Sequence, residues 1–200
     1  MHKSIIIATM AATGIAAQAD IVRVGEFQSL QFEGFENLDM SSFEQAPVEA
    51  FGGMATLLNS NNSFLHTTGG WSYKNMTQKY EGSRLLGTTR GGVEYQFNLT
   101  QRSFGGFFSS IDNIADGSVR FFNGDTFVGS DDLLASVDGN WTWNGWSSDA
   151  EFDRVVIESN ALNKGFMMHD SVRVLQTQVP ASGSVAILAT GAFLCKRRRR

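Results

Sequence analysis

Val93-Glu94-Tyr95-Gln96-Phe97-Asn98-Leu99 is the stretch that decides the fold class. Apolar and polar residues alternate along it, the period of a strand with one dry face. Val93, Tyr95, Phe97 and Leu99 are expected on that face, with Glu94, Gln96 and Asn98 opposite. Further along, Val119-Arg120-Phe121-Phe122 runs through Asn123-Gly124-Asp125 into Thr126-Phe127-Val128. An Asn-Gly pair between apolar runs is a strong hairpin signal. Arg154-Val155-Val156-Ile157 is β-branched and follows a polar stretch, and Phe166, Met168, Val172 and Val174 line one face of a last strand. Gly91-Gly92, Asp138-Gly139-Asn140 and Asn163-Lys164-Gly165 read as turns, and residues 59–63 as a loop. No long segment has a helical period, and no internal repeat is present. The sequence therefore predicts an all-β, antiparallel two-sheet sandwich of jelly-roll type. An N-terminal signal helix and a short C-terminal apolar helix are expected to flank it.

The composition agrees with many short aromatic strands joined by turns: 21 Gly and 16 Phe against 2 Pro in 200 residues. Charge is unevenly spread. Of 16 Lys and Arg, one lies in residues 1–19 and five in 196–200. Residues 20–178 keep ten against all 20 Asp and Glu, a net of −10 where the whole chain has −4. An acidic domain repels phosphate backbones, so nucleic acid is excluded as an expected partner, while cations and neutral polymers are not. The single cysteine, Cys195, permits no intrachain disulfide, and the domain must hold itself by packing.

Both ends read as processing segments. Met1-His2-Lys3 is a basic start, Ser4 to Ala16 is largely apolar, and Ala17-Gln18-Ala19 has the small-x-small form of a signal-peptidase site. At the other end, Val179-Pro180-Ala181-Ser182-Gly183-Ser184 precedes the uncharged run Val185 to Cys195, closed by Lys196, Arg197, Arg198, Arg199 and Arg200. Eleven apolar residues fall short of the roughly 20 that span a bilayer as a helix. Five terminal cations would hold their end on the cytoplasmic side. A glycolipid-anchor signal would end apolar instead.

This tail resembles the PEP-CTERM sorting signal of Gram-negative bacteria. Val179 and Pro180 match the start of that motif, and Gly183 and Ser184 match a known variant, while Ala181 and Ser182 replace its Glu and second Pro. The resemblance implies removal of the tail by an exosortase-type membrane protease after transient inner-membrane association, with release to the cell envelope or beyond. Three segments follow: a signal peptide over 1–19, a β-sandwich over 20–178 and a sorting tail over 179–200. The middle segment is similar to the carbohydrate-binding-like jelly rolls of exported PEP-CTERM proteins. The matching stretches are Leu30-Gln31-Phe32-Glu33, Phe104-Gly105-Gly106-Phe107-Phe108, Arg120-Phe121-Phe122-Asn123-Gly124, Asn144-Gly145-Trp146 and Phe166 to Val172. Such domains often carry a structural calcium, and some bind glycans.

Candidate chemistry lies in two groups. Unbroken alternation puts Asp170 on the apolar face with Phe166, Met168, Val172 and Val174, where a carboxylate must be paired, hydrogen-bonded or metal-bound. Calcium takes several oxygen ligands, and Glu33, Glu36 and Asp39 could join Asp170 if the first and last strands are neighbours. The alternative is an Asp170 that accepts backbone hydrogen bonds. The second group is Trp141, Trp143 and Trp146, either core fillers or rings that stack on sugars of an exopolysaccharide. Asp131-Asp132, Asp138, Asp149, Glu151 and Asp153 read as solvated loops. His66 and His169, with neither a nucleophile elbow nor a zinc-protease pattern near them, give no catalytic motif. The expectation is a non-enzymatic exported envelope or matrix protein, with a glycan-binding module and a secreted glycosidase-like enzyme as alternatives.

Overall fold

The computed structural model describes residues 19–38, 40, 45, 47–60, 62–72, 76–89, 92–110, 116–135, 139–159 and 166–179. Thirteen strands follow one another along them: β1 Ile21–Arg23, β2 Gln31–Glu33, β3 Val48–Ala50, β4 Ala55–Asn59, β5 Phe64–Thr68, β6 Gly70–Ser72, β7 Met76–Gln78, β8 Leu85–Thr89, β9 Gly92–Ser110, β10 Asp116–Asn123, β11 Thr126–Leu134, β12 Thr142–Ser159 and β13 Met167–Leu175. A single 3-10 turn, Phe51–Gly53, is the helical element among the described residues. The pairings are antiparallel. The expected all-β antiparallel class is observed. The expected flanking helices, with Ala17, Pro180, Gly183, Ser184 and Lys196 to Arg200, lie outside the described residues. No described helix is long and apolar enough to cross a membrane.

Eleven strands form one branched sheet that folds over itself through its two longest members. The N-terminal half of β9 pairs with β4 and with Arg154–Glu158 of β12, and that part of β12 pairs with β10. The C-terminal half of β9 pairs with Thr142–Ser147 of β12 and with β13. β1 joins β12 on one side, and β2, β8 and β5 extend beyond β13 on the other. Side-chain parity reverses where each long strand passes between the two halves. On β9 the core residues are Val93, Tyr95 and Phe97, then Phe104 and Phe108; on β12 they are Trp146 and Phe152, then Val155 and Ile157. Register shifts between Ser147 and Arg154 absorb the change. Strands that bend from one layer into the next are a known way to build a sandwich corner.

Two expectations fail here, the inward placement of Leu99 and the loop placement of the acidic residues, while the hairpin is observed. Leu99 was assigned to the dry face, but it sits at the β9 crossing and is 60% exposed. The expected hairpin is present between β10 and β11, with Asn123 paired to Thr126 and Gly124 and Asp125 as its central residues. Gly124 takes the left-handed backbone, φ 55°, at no steric cost. The acidic residues read as loops are largely on strands: Asp131 and Asp132 on β11, and Asp149, Glu151 and Asp153 on β12.

The two halves meet across one core. The Tyr95 hydroxyl from one side is 3.0 Å from His169 Nδ1 on the other, and Phe121 packs its ring edge on Trp146 at 6.0 Å. After β13 the chain is strapped to the sheet by buried hydroxyls. Ser103 Oγ donates to Thr177 O at 3.0 Å, and Val179 N donates to Ser103 Oγ and Ser147 Oγ at 3.2 and 3.1 Å. Gln178 Nε2 adds a bond to Ser148 O.

Candidate functional site

On the C-terminal half of β9, Phe104 and Phe108 point into the core, so Gly105 and Phe107 point outward. Trp143, the register partner of Phe107 on β12, shares that outer side, with ring centroids 5.3 Å apart and edge-to-face. A Cβ on Gly105 would come within 2.7 Å of the Trp143 ring, and one on Gly145 within 2.8 Å. These paired glycines leave the space in which the indole lies flat against the sheet. Phe27 packs edge-on against it at 5.5 Å, and its Nε1 donates to Val24 O at 3.2 Å.

The aromatic surface continues in both directions. Tyr80, from the segment between β7 and β8, stacks on Phe107 at 3.7 Å and meets Trp141 at 6.3 Å. Trp141 Nε1 donates to Gln78 O at 2.8 Å. At the other end the Arg173 guanidinium lies 5.5 Å from the Trp143 ring and 5.9 Å from the Phe32 ring. Arg173 Nη1 donates to Glu26 Oε1 at 2.7 Å and to Phe27 O at 2.9 Å. Tyr80 is 42% exposed and Phe32 41%, while Trp141 and Trp143 are half-buried. The result is a continuous row, Phe32–Arg173–Trp143–Phe107–Tyr80–Trp141, across four strands and the two segments that lead into β8 and β12.

The structure sorts the three candidate tryptophans. Trp141 and Trp143 lie on this face. Trp146 does not: three residues beyond Trp143 it has the opposite parity, is 1% exposed with its ring in the core, and donates Nε1 to the partly exposed Asp131 Oδ2 at 2.8 Å. Sequence reasoning missed Tyr80, Phe107, Phe27, Phe32 and Arg173. Phe107 and Arg173 carried a signal, since each alternates with core residues and so faces outward. Tyr80, in a segment without strand pairing, carried none.

The carboxylates also separate. Asp170 was expected beside Val172 and Val174, but a bulge intervenes. Ser171 has φ 51°, and the pairing of β13 with β9 shifts between Asp170 and Arg173. Met168 therefore joins Leu85, Trp141 and Phe166 on the outer side, with Asp170, while Val172 and Val174 turn into the core. Asp170 Oδ2 accepts from Tyr80 N at 2.8 Å and Glu81 N at 3.4 Å, and its Oδ1 accepts from Ser171 N at 2.7 Å. Burial pushes this carboxyl up to about 7 against the pull of those three donors, and the Glu81 charge adds to the rise.

Glu33 pairs in register with Val172, so the first and last strands do lie side by side. Its two oxygens accept from Phe35 N at 2.6 Å and Phe51 N at 2.5 Å. Both phenylalanines have positive φ, 62° and 53°, and this buried carboxylate offsets part of their strain. Glu36 accepts from the Ser83 hydroxyl, from Ser83 N at 2.7 Å and from Arg84 N at 3.2 Å. The Ser83 hydroxyl, with those amides and the Arg84 charge, holds Glu36 below the usual carboxylate range although burial opposes it. Glu33, Glu36 and Asp170 thus accept backbone N–H groups at separate places. Among the described residues no group of three His, Cys, Asp or Glu is placed to hold a metal. Asp39 lies outside the described residues. His66 is half-buried on β5. His169 is fully buried against Tyr95 and the Phe108 ring, and burial pushes its imidazole down to about 3, so it stays neutral inside the core.

No protein-family model matches the sequence, and no curated protein matches it. Among solved structures, the CBM22-1 xylan-binding domain of Paenibacillus barcinonensis Xyn10C is similar over 81% of this chain and 99% of its own, at 14% identity and TM-score 0.44. The K2 cleaved adhesin domain of Lys-gingipain is similar over 60% of this chain and 89% of its own, at 9% identity and TM-score 0.44. TmCBM61 in complex with β-1,4-galactotriose is similar over 72% and 94%, at 10% identity and TM-score 0.39. All three scores lie below 0.5, so neither the fold nor the ligands of these proteins are carried over to this chain.

Proposed function

We propose that this domain is a non-catalytic glycan-binding module, and that the row from Phe32 to Trp141 is its binding face. The observation that carries the reading is the state of the two indoles. Trp141 and Trp143 have both spent their N–H groups on backbone carbonyls, Gln78 O and Val24 O. What they offer outward is ring surface, held rigidly and joined to the exposed Tyr80 ring. Such a surface suits the apolar faces of sugar rings, with dispersion and desolvation giving the affinity. The excess of acidic residues favours a neutral polysaccharide over an anionic one. The neutral, core-facing His169 is no candidate for surface acid–base chemistry.

The test is affinity electrophoresis through gels containing neutral β-linked polysaccharides, with Trp143→Ala and Tyr80→Ala beside the native chain. Retardation that both substitutions abolish is the expected result. Unretarded native protein, or retardation indifferent to both, refutes the reading. The same proposal places the module in an exported protein processed after Ala19 and within the tail that follows Val179, by signal peptidase and an exosortase-type protease. Ala17-Gln18-Ala19 and the Arg-rich end support that part. Intact mass of the secreted product tests it: a species starting at Asp20 and lacking Arg200 is expected, and one retaining both ends overturns it.

A further inference from the structure

One ring of the aromatic face does not belong to a strand. Tyr80 lies in the segment between β7 and β8, residues 79–84, and two carboxylates hold that segment from beneath. Asp170 takes the Tyr80 and Glu81 amides, and Glu36 takes the Ser83 and Arg84 amides together with the Ser83 hydroxyl. Between the two pins the chain turns at Gly82, φ 58°, where a Cβ would collide with the Glu36 carboxylate. The segment therefore follows a path set by its pins and not by a ladder of strand bonds.

Phe107 faces outward on β9 yet is buried, because the Tyr80 ring lies on it at 3.7 Å. Which surface this end of the face presents depends on the segment: seated, it presents Tyr80 with its hydroxyl, and without that ring the bare Phe107 would stand there instead. The group next to that choice is Asp170. The left-handed Ser171 makes the bulge that turns Asp170 outward, and Ser171 N itself donates to Asp170 Oδ1. Were the strand to run on regularly through Ser171, unbroken alternation would carry the carboxylate to the same side as Val172 and Val174.

We propose that Asp170 is the positioning residue for Tyr80: through the Tyr80 and Glu81 amides it seats that ring on Phe107 and so fixes which surface a sugar meets. This rests on the glycan-binding reading, and its test separates the two. In neutral-polysaccharide binding, Asp170→Ala weakens affinity by the same factor as Tyr80→Ala, about tenfold for an aromatic anchor. The double variant Asp170→Ala/Tyr80→Ala binds no worse than Tyr80→Ala alone, because Asp170 acts through that ring. Asp170→Asn keeps a carbonyl acceptor for the Tyr80 amide and restores part of the affinity. Losses that multiply, or an Asp170→Ala chain that binds like the native one, overturn the proposal.

A ligand-free readout stands beside this. Stacking on Phe107 shifts the Tyr80 ring protons upfield in the proton NMR spectrum. Asp170→Ala returns them toward free-tyrosine positions while the buried Trp146 indole resonance stays in place. If Asp170→Ala does not fold, the same comparison is made with Asp170→Asn, in which a partial return is expected. Tyr80 resonances unchanged in a folded variant overturn the proposal even where no polysaccharide binds. A native chain that shows the shift but binds no polysaccharide refutes the glycan reading and leaves the seating of Tyr80 by Asp170 standing.

Discussion

Trp143 and Trp146 stand three residues apart on one strand and have opposite fates. Trp146 is sealed in the core, ring to ring with Phe104 at 6.3 Å and with Phe121 at 6.0 Å. Trp143 lies over two glycines on the outer side, bordered by Phe27, Phe107 and Arg173. Both indole N–H groups are satisfied, one by a carboxylate and one by a carbonyl. What separates them is parity on β12 and the size of the residues beneath. A large ring against a packed layer becomes core, and the same ring against glycine becomes a surface that is rigid yet open.

The sharpest way to break this comparison is to truncate each ring. Trp146→Ala is expected to cost about 3–5 kcal/mol of stability, since the core cannot collapse into the space of an indole. Trp143→Ala is expected to cost only about 1–2 kcal/mol, because part of the ring already meets solvent. Urea unfolding measures both, and equal losses would show that the two sides are energetically alike. Next in size is Gly105→Ala, which drives a Cβ into the Trp143 ring and toward Asn144 O at 3.0 Å. About 1–3 kcal/mol of strain is expected. Polysaccharide binding should be lost together with that stability, as the indole can no longer lie flat. Retained binding in a destabilised Gly105→Ala chain would separate the ring's posture from its role.

A smaller effect concerns pH. Asp170 sits at about 7 in the fold against 3.8 for a free carboxyl. A raised value means that the folded chain holds this proton more tightly than the unfolded one. Its contribution is complete below about 3.8 and is lost as pH rises through about 7. The charges around it do not cancel the trend. Glu81 reinforces it, Arg173 is engaged by Glu26, and His169 on the opposite side is neutral. Asp170→Asn is expected to flatten the fall in melting temperature between pH 5 and pH 8, and a profile as steep as that of the native chain would refute the assignment. Least of all is expected from Arg120→Ala on the solvent side of β10. It removes a 2.9 Å pair with Glu158 between partly exposed side chains and should cost under about 1 kcal/mol.

Period-two patterning carried the strand assignments well where the partner strand was regular. Val93, Tyr95 and Phe97 all point inward, as do Val155 and Ile157. It failed where an extra residue resets the count. Leu99 at the β9 crossing and Asp170 before the Ser171 bulge were both placed by an alternation that the backbone interrupts. Bulges answer to the partner strand, which a local pattern does not contain. The candidate site was half legible for the same reason. Trp141 and Trp143 were named from residue type, and Trp146 was named with them because its parity against a partner was unknown. Tyr80 is held by carboxylates 44 and 90 residues away in sequence, Glu36 through Ser83 and Asp170 directly. No window along the chain brings those groups together.

The strap behind β13 has a mechanical consequence. Thr177 and Val179 are fastened to Ser103 and Ser147, hydroxyls from the two long strands that run through both layers. Any load applied through residue 180, whether by a membrane, a protease or a polymer, arrives first at that seam. A pull directed along the axis of β13 would load its bonds to β9 in shear, all together and not one at a time. The point at which the described chain ends is thus fastened to both long strands at once.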